Sequence, residues 1–124
     1  MIIHNEKFKQ SILTALADKE MIKIIDHATF RAVSVNNVIK QTDIPHTTAY
    51  RKINWMLEGG LLTVERINIT SEGKKISLFR SILKSITVKL DQGKIIVEAE
   101  YNVDVQEKVA ERFFSLDSME NDKK

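Results

Sequence analysis

Apolar positions along the chain change from helical period to alternation near residue 60 and return to helical spacing after Asp104, and breaks within each stretch divide it into elements. Phe8, Ile12, Leu13 and Leu16 recur at helical spacing, which predicts an amphipathic helix over about residues 6–17. Asp18 is placed to cap a second helix whose Met21, Ile24 and Ile25 face one way and which ends near Asp26 and His27. Residues 31–33 read as a short extended link. Ser34 then caps a third helix with Val35, Val38 and Ile39 as its apolar stripe. Pro45 disfavours the α conformation at Ile44, so Thr42-Asp43-Ile44-Pro45 breaks that helix. A fourth helix restarts at His46 and runs to about Glu58, where Gly59-Gly60 supplies a left-handed stop.

Beyond Gly60 the period becomes two. Residues 61–67 and 75–80 read as strands around the turn Thr70-Ser71-Glu72-Gly73. A second hairpin follows, 82–90 and 95–101, around Asp91-Gln92-Gly93-Lys94, with Gly93 suited to a left-handed position. Ile86, Val88 and Leu90 alternate with Thr87 and Lys89; Val97, Ala99 and Tyr101 alternate with Glu98 and Glu100. Each of these strands therefore has an apolar face that something must cover. Asp104 is read as the cap of a final helix with Val105, Val109 and Phe113 on one side, ahead of a polar, disordered tail.

Two short helices joined at a steep angle by a turn of roughly 3–4 residues form a helix-turn-helix, whose second helix enters the DNA major groove. The expected fold class is α+β, mainly helical: a winged helix-turn-helix over residues 1–81. Residues 82–116 add a hairpin and helix as a dimerisation extension of the same domain, and 117–124 form the tail. A wheel at about 100° per residue sets Ala49, Ile53, Met56 and Leu57 inward. Thr47, Thr48, Arg51, Asn54 and Trp55 fall opposite, with Tyr50 at the edge. Arg51 suits guanine O6 and N7, and Asn54 suits adenine N6 and N7. Thr47, Thr48 and Tyr50 suit phosphate. Trp55 is open to wing packing, DNA sugar or a partner, with wing packing the plainest. His46 reads as a helix-start residue.

Composition narrows the choices. At 124 residues, 43% hydrophobic and 29% charged, the chain fits one globular domain. No apolar run approaches the roughly 18 residues of a membrane span. The opening MIIHNEKFKQ lacks signal-peptide character, so a cytoplasmic location is expected. The absence of cysteine excludes disulfides and thiolate metal sites, and the histidines at 4, 27 and 46 have no ligand-like spacing. Neither a metal nor a cofactor is expected. No phosphate loop, nucleophile with base or carboxylate pair stands in a context that suggests an enzyme.

Charge is segregated. Residues 34–90 hold nine Lys and Arg against four Asp and Glu, whereas residues 91–124 hold five against nine. The basic excess travels with the helix-turn-helix and the strands after it, as a DNA-binding surface requires. Lys74 and Lys75, following Gly73 at the wing tip, are the candidate backbone contacts, with Arg66 and Arg80 on the wing strands as weaker ones.

ALADKEMIKIIDHA, TTAYRKINWMLEGGLL and GKKISLFRS together resemble the ArsR-like superfamily of transcriptional regulators, especially its archaeal members. They match its opening helix pair, its recognition helix with the passage into the wing, and its returning wing strand. The resemblance spans Ala15 to Arg80 and implies a winged helix-turn-helix regulator of double-stranded DNA. The thiolate metal-sensing motif of that family's best-known members is impossible in a chain without cysteine, which leaves any small-molecule effector unknown. A helix-turn-helix usually acts as a dimer. The first helix, second hairpin and terminal helix are the surfaces available for a homodimer, unless they simply cap the monomer's own core. The competing function is a winged-helix protein–protein module within a larger assembly; Arg51, Asn54 and Tyr50 favour DNA, and Trp55 leans the other way.

Overall fold

The computed structural model describes residues 1–102, so the helix expected from Asp104 and the tail at 117–124 lie outside the described residues. Four helices precede four strands: α1 Glu6–Leu16, α2 Lys19–Phe30, α3 Val35–Gln41, α4 His46–Glu58, β1 Leu62–Ile69, β2 Lys75–Ser81, β3 Leu83–Asp91 and β4 Lys94–Tyr101. The fold is α+β, four helices followed by two antiparallel hairpins, with β1–β2 in the place expected for a wing.

Capping explains the helix boundaries. Asp18 Oδ1 accepts from the backbone N–H groups of Glu20 and Met21, both at 3.0 Å. Ser34 Oγ accepts from Asn37 N at 3.1 Å while Asn37 Oδ1 accepts from Ser34 N at 3.0 Å, a reciprocal box. Pro45 occupies the N-cap of α4. At the far end of α4 Gly60, at φ +81°, takes the left-handed position, while Gly59 remains right-handed. Leu61 N then donates to Met56 O at 2.9 Å and Gly60 N to Leu57 O at 3.3 Å, which closes the last carbonyls of the helix.

The core joins all four helices to both hairpins. Ile12, Ile24, Val38, Ile53 and Met56 are fully enclosed, together with Leu61, Leu62 and Val97. Each hairpin is antiparallel, β1 with β2 and β3 with β4. Both gain outside support. Val33, in the link before α3, pairs with Phe79 on β2. Residues 1–3 pair with β4: Ile3 N donates to Val97 O and Ala99 N to Met1 O, each at 2.8 Å. That third strand has no signal in the sequence beyond two isoleucines. β1 begins one residue later and ends two residues later than the alternation predicts, with a bulge between Val64 and Arg66. The hairpins meet where Ile82 N donates to Leu61 O at 3.1 Å and Asn102 N to Ile82 O at 2.8 Å.

Candidate nucleic-acid interface

α4 owes its orientation to a buried inner face and a fixed end. Ala49, Ile53 and Met56 are buried, and Leu57 is half-buried against the core. A Cβ on Gly59 would lie 3.0 Å from Ser11 Oγ and 3.3 Å from Trp55 O, so α1 sits close against the end of α4. The outer face then presents Thr47, Tyr50, Arg51, Asn54 and Glu58, all exposed, as a continuous stripe at helical spacing. His46 stacks on Tyr50, with ring centroids 4.7 Å apart and planes tilted by 53°.

Two residues stand differently from the helical-wheel reading, and a third from the count of basic charge. Thr48 is half-buried, not outward. Trp55 is also half-buried and packs against the core, because α4 is clasped by α2 and α3 on one side and by β1 on another. Its apolar arc is therefore wider than a half-cylinder. Lys52, counted in the basic excess, is buried and donates to Asp18 Oδ2 at 2.6 Å and pairs with Glu20 Oε1 at 2.8 Å.

That cluster ties α4 to the start of α2. The hydrogen bonds that Lys52 donates to Asp18 and Glu20 outweigh burial and raise its pKa above the ordinary 10.5. Burial works to raise the Asp18 carboxyl, but Lys52 and the capping N–H groups of Met21 and Glu20 together hold it below its ordinary 3.8. Lys52 is thus a charged strut and not a free cation.

The wing carries its exposed charge at the tip. Thr70 N donates to Lys74 O at 2.8 Å, Gly73 N to Thr70 O at 2.9 Å and Lys74 N to Thr70 Oγ1 at 3.1 Å, with Gly73 at φ +82°. This knot leaves Lys74 and Lys75 exposed, with Ile67 and Ile69 exposed on β1 below them. Arg66 is exposed beside Glu65, at 3.5 Å. Arg80 is buried, which corrects its reading as a weak DNA contact. Its Nη1 donates to Glu65 Oε1 at 3.3 Å, and its Nη2 to Thr29 O at 3.0 Å and Asn102 Oδ1 at 3.4 Å. Asn102 Nδ2 also donates to Thr29 O at 2.6 Å and to Ser81 O at 3.2 Å. Sequence reasoning missed this junction; only the apolar context around Arg80, in SLFRSIL, hinted at burial.

With Lys52 and Arg80 paired internally, and Lys84 and Lys89 on β3, the exposed basic residues of the helix-turn-helix and wing are Lys40, Arg51, Arg66, Lys74 and Lys75. Among the described residues no group of three His, Asp or Glu could hold a metal, and no helix is long and apolar enough to cross a membrane.

No family model and no curated protein matches the chain. Among solved structures, the ferric uptake regulator of Vibrio cholerae, whose crystal structure is described as revealing a rearrangement of its DNA-binding domains, is similar at a TM-score of 0.42 and 17% identity. The likeness covers 86% of this chain and 87% of that one. It is too loose to bear on function.

Proposed function

We propose that this protein is a sequence-specific, double-stranded DNA-binding transcriptional regulator that acts as a cytoplasmic homodimer without catalysis of its own. The observation that carries the reading is the exposed stripe Thr47, Tyr50, Arg51 and Asn54 on α4, beside a wing whose tip exposes Lys74 and Lys75. Arg51 and Asn54 supply bidentate base recognition; Thr47, Tyr50 and the wing lysines hold the phosphate backbone. Thr48, half-buried at the start of α4, is left with a contact to the nearest phosphate through its hydroxyl edge. The ArsR-like resemblance of residues 15–80 supports the same class. The competing protein–protein reading leaned on Trp55, which is half-buried and so offers a partner little surface.

The test is a binding titration with duplexes selected from random sequence. Arg51→Ala is expected to cost about 1–3 kcal/mol at the selected site and to relax base preference at one position, with little change on random duplex. Equal binding of variant and parent to both duplexes would remove α4 as the reading helix.

A further inference from the structure

We propose that two copies of this chain join through the outer edge of β3, each β3 pairing antiparallel with the other about a two-fold axis at Thr87. The inference deepens the homodimer reading above by naming its interface. It rests first on edges. In the second sheet one edge of β4 is occupied by β3 and the other by residues 1–3, whereas β3 has no second neighbour among the described residues. Its backbone donors and acceptors on that side, across a strand of nine residues, are a template for another strand.

The second observation is the apolar row. The register sets Ile86 opposite Ala99, Val88 opposite Val97 and Leu90 opposite Ile95, all on one face. Ala99 and Val97 are buried, but the row continues outward past the core: Val88 and Ile95 are 42% exposed and Leu90 73%. An aliphatic row that leaves its own core at an open edge calls for a neighbour that extends it.

The third is what the strand offers itself. Antiparallel pairing about Thr87 sets Val88 beside the partner's Ile86, which carries the aliphatic row across the axis, and sets Leu90 beside the aliphatic stem of the partner's Lys84. On the other face Thr87 meets the partner's Thr87, and Lys89 meets the partner's Ser85. No like charges stand directly opposed, whereas pairing centred on Lys89 would oppose two lysines and is disfavoured. Such an isologous contact also gives the two-fold symmetry that paired DNA half-sites require.

The chain has no cysteine, so a single introduced thiol reports the axis. Residues directly opposed across an antiparallel pair lie within reach of a disulfide. Two copies of Glu98, on the same face but one strand further in, would be separated by three strand spacings, about 14 Å. Full-length Thr87→Cys and Glu98→Cys are oxidised under matched conditions and the covalent dimer followed on non-reducing gels, while sedimentation gives the mass of the parent. The expected result is a parent of two chains, with Thr87→Cys cross-linking on the order of tenfold faster than Glu98→Cys or more. Val88→Lys is expected to shift the mass to one chain with its helical signal unchanged. A parent dimer whose Thr87→Cys links no faster than Glu98→Cys overturns this interface and leaves the homodimer reading standing. A monomeric parent, including one whose residues after 102 cover the edge, overturns both; the Arg51 titration on DNA is independent of either outcome.

Discussion

The wing, β1–β2, has its base locked by buried polar groups and its tip exposed and cationic, whereas β3–β4 has an aliphatic base and carries its apolar row out toward the tip. The wing's base buries Arg80, Ser81 and Thr63 beside the apolar Leu62, Leu78 and Phe79, whereas the strands of the second hairpin bury only apolar residues, Leu83, Val97 and Ala99. Two-stranded hairpins are marginal by themselves in water, so each needs an anchor of a different kind. Hydrogen bonds at fixed angles hold the wing in one orientation relative to α2, which suits the role proposed for it, setting Lys74 and Lys75 against a phosphate. Aliphatic packing is less directional and can be extended by a further apolar surface. The difference between the hairpins matches the roles proposed for them, positioning for the wing and association for β3–β4.

The largest test of that contrast falls on Arg80, which serves the wing and, through Asn102, the end of the second hairpin. Arg80→Ala removes the buried cation beside Glu65 and the donors to Thr29 O and Asn102 Oδ1. Removing one member of a buried pair costs about 3–5 kcal/mol. For a domain of this size such a loss consumes much of the total stability. Urea denaturation of parent and variant measures it; a loss below 1 kcal/mol, on the order of a surface substitution, would mean that the junction does not hold the wing.

A smaller effect is expected where α4 is braced from below. Lys52→Met keeps the stem of the side chain but strands Asp18 and Glu20, which are a quarter and more than a third exposed and can rehydrate. The expected loss is about 1–2 kcal/mol. The pH dependence follows from the directions of shift. Asp18 is depressed, so its contribution is complete above the ordinary carboxylate value of 3.8 and disappears as the pH falls through its lowered value. Lys52 is raised, so its contribution is complete below 10.5 and disappears as the pH rises through its elevated value. Thermal melts from acid to alkaline pH should show Lys52→Met narrowing its gap to the parent at both extremes, with a constant gap between. A gap that changes near neutrality would point to another group.

Both hairpins, all four described helices and the register of the second turn were legible in the sequence, because each depends on local chemistry: caps at Asp18 and Ser34, the break at Pro45, alternation around Gly93. What escaped depends on residues far apart in the chain. Lys52 meets Asp18 across 34 positions and Arg80 meets Thr29 across 51, and a cation in a helical or alternating pattern gives no sign that its partner is buried with it. The outward placement that the wheel gives Thr47, Tyr50, Arg51 and Asn54 matches their exposure on α4. It fails at Thr48 and Trp55, since a wheel assumes one buried side while α4 is held on more than one.

The tips of the hairpins offer a comparison that leaves stability alone. Lys74 and Lys75 stand exposed where the wing's turn enters β2. Changing both to Ala should weaken binding to every duplex alike and reduce the slope of log affinity against log salt by about one to two units. The matching pair on the second hairpin, Lys89→Ala with Lys94→Ala, should leave that slope unchanged. Equal slopes for the two double variants would erase the distinction between a phosphate-contacting tip and a tip turned to another use.

The smallest expected effect improves the second hairpin. Its turn places Gln92 at φ +52° and Gly93 at φ +77°, so both central residues are left-handed, as in the tight turn that matches the twist of antiparallel strands. Gly93 adopts that region without a steric cost, but Gln92 is the only non-glycine described with positive φ. Asn tolerates the left-handed region better than Gln because its short side chain bonds locally to the backbone. Gln92→Asn should therefore stabilise β3–β4 by about 0.5 kcal/mol, a fraction of the left-handed penalty of roughly 1–2 kcal/mol. Amide exchange is the suitable measurement, since it reads the hairpins separately. Slower exchange at β3 and β4 with no change at β1 and β2 would show that the hairpins open independently. A matched slowing in all four strands would show instead that the Arg80–Asn102 junction makes them open together.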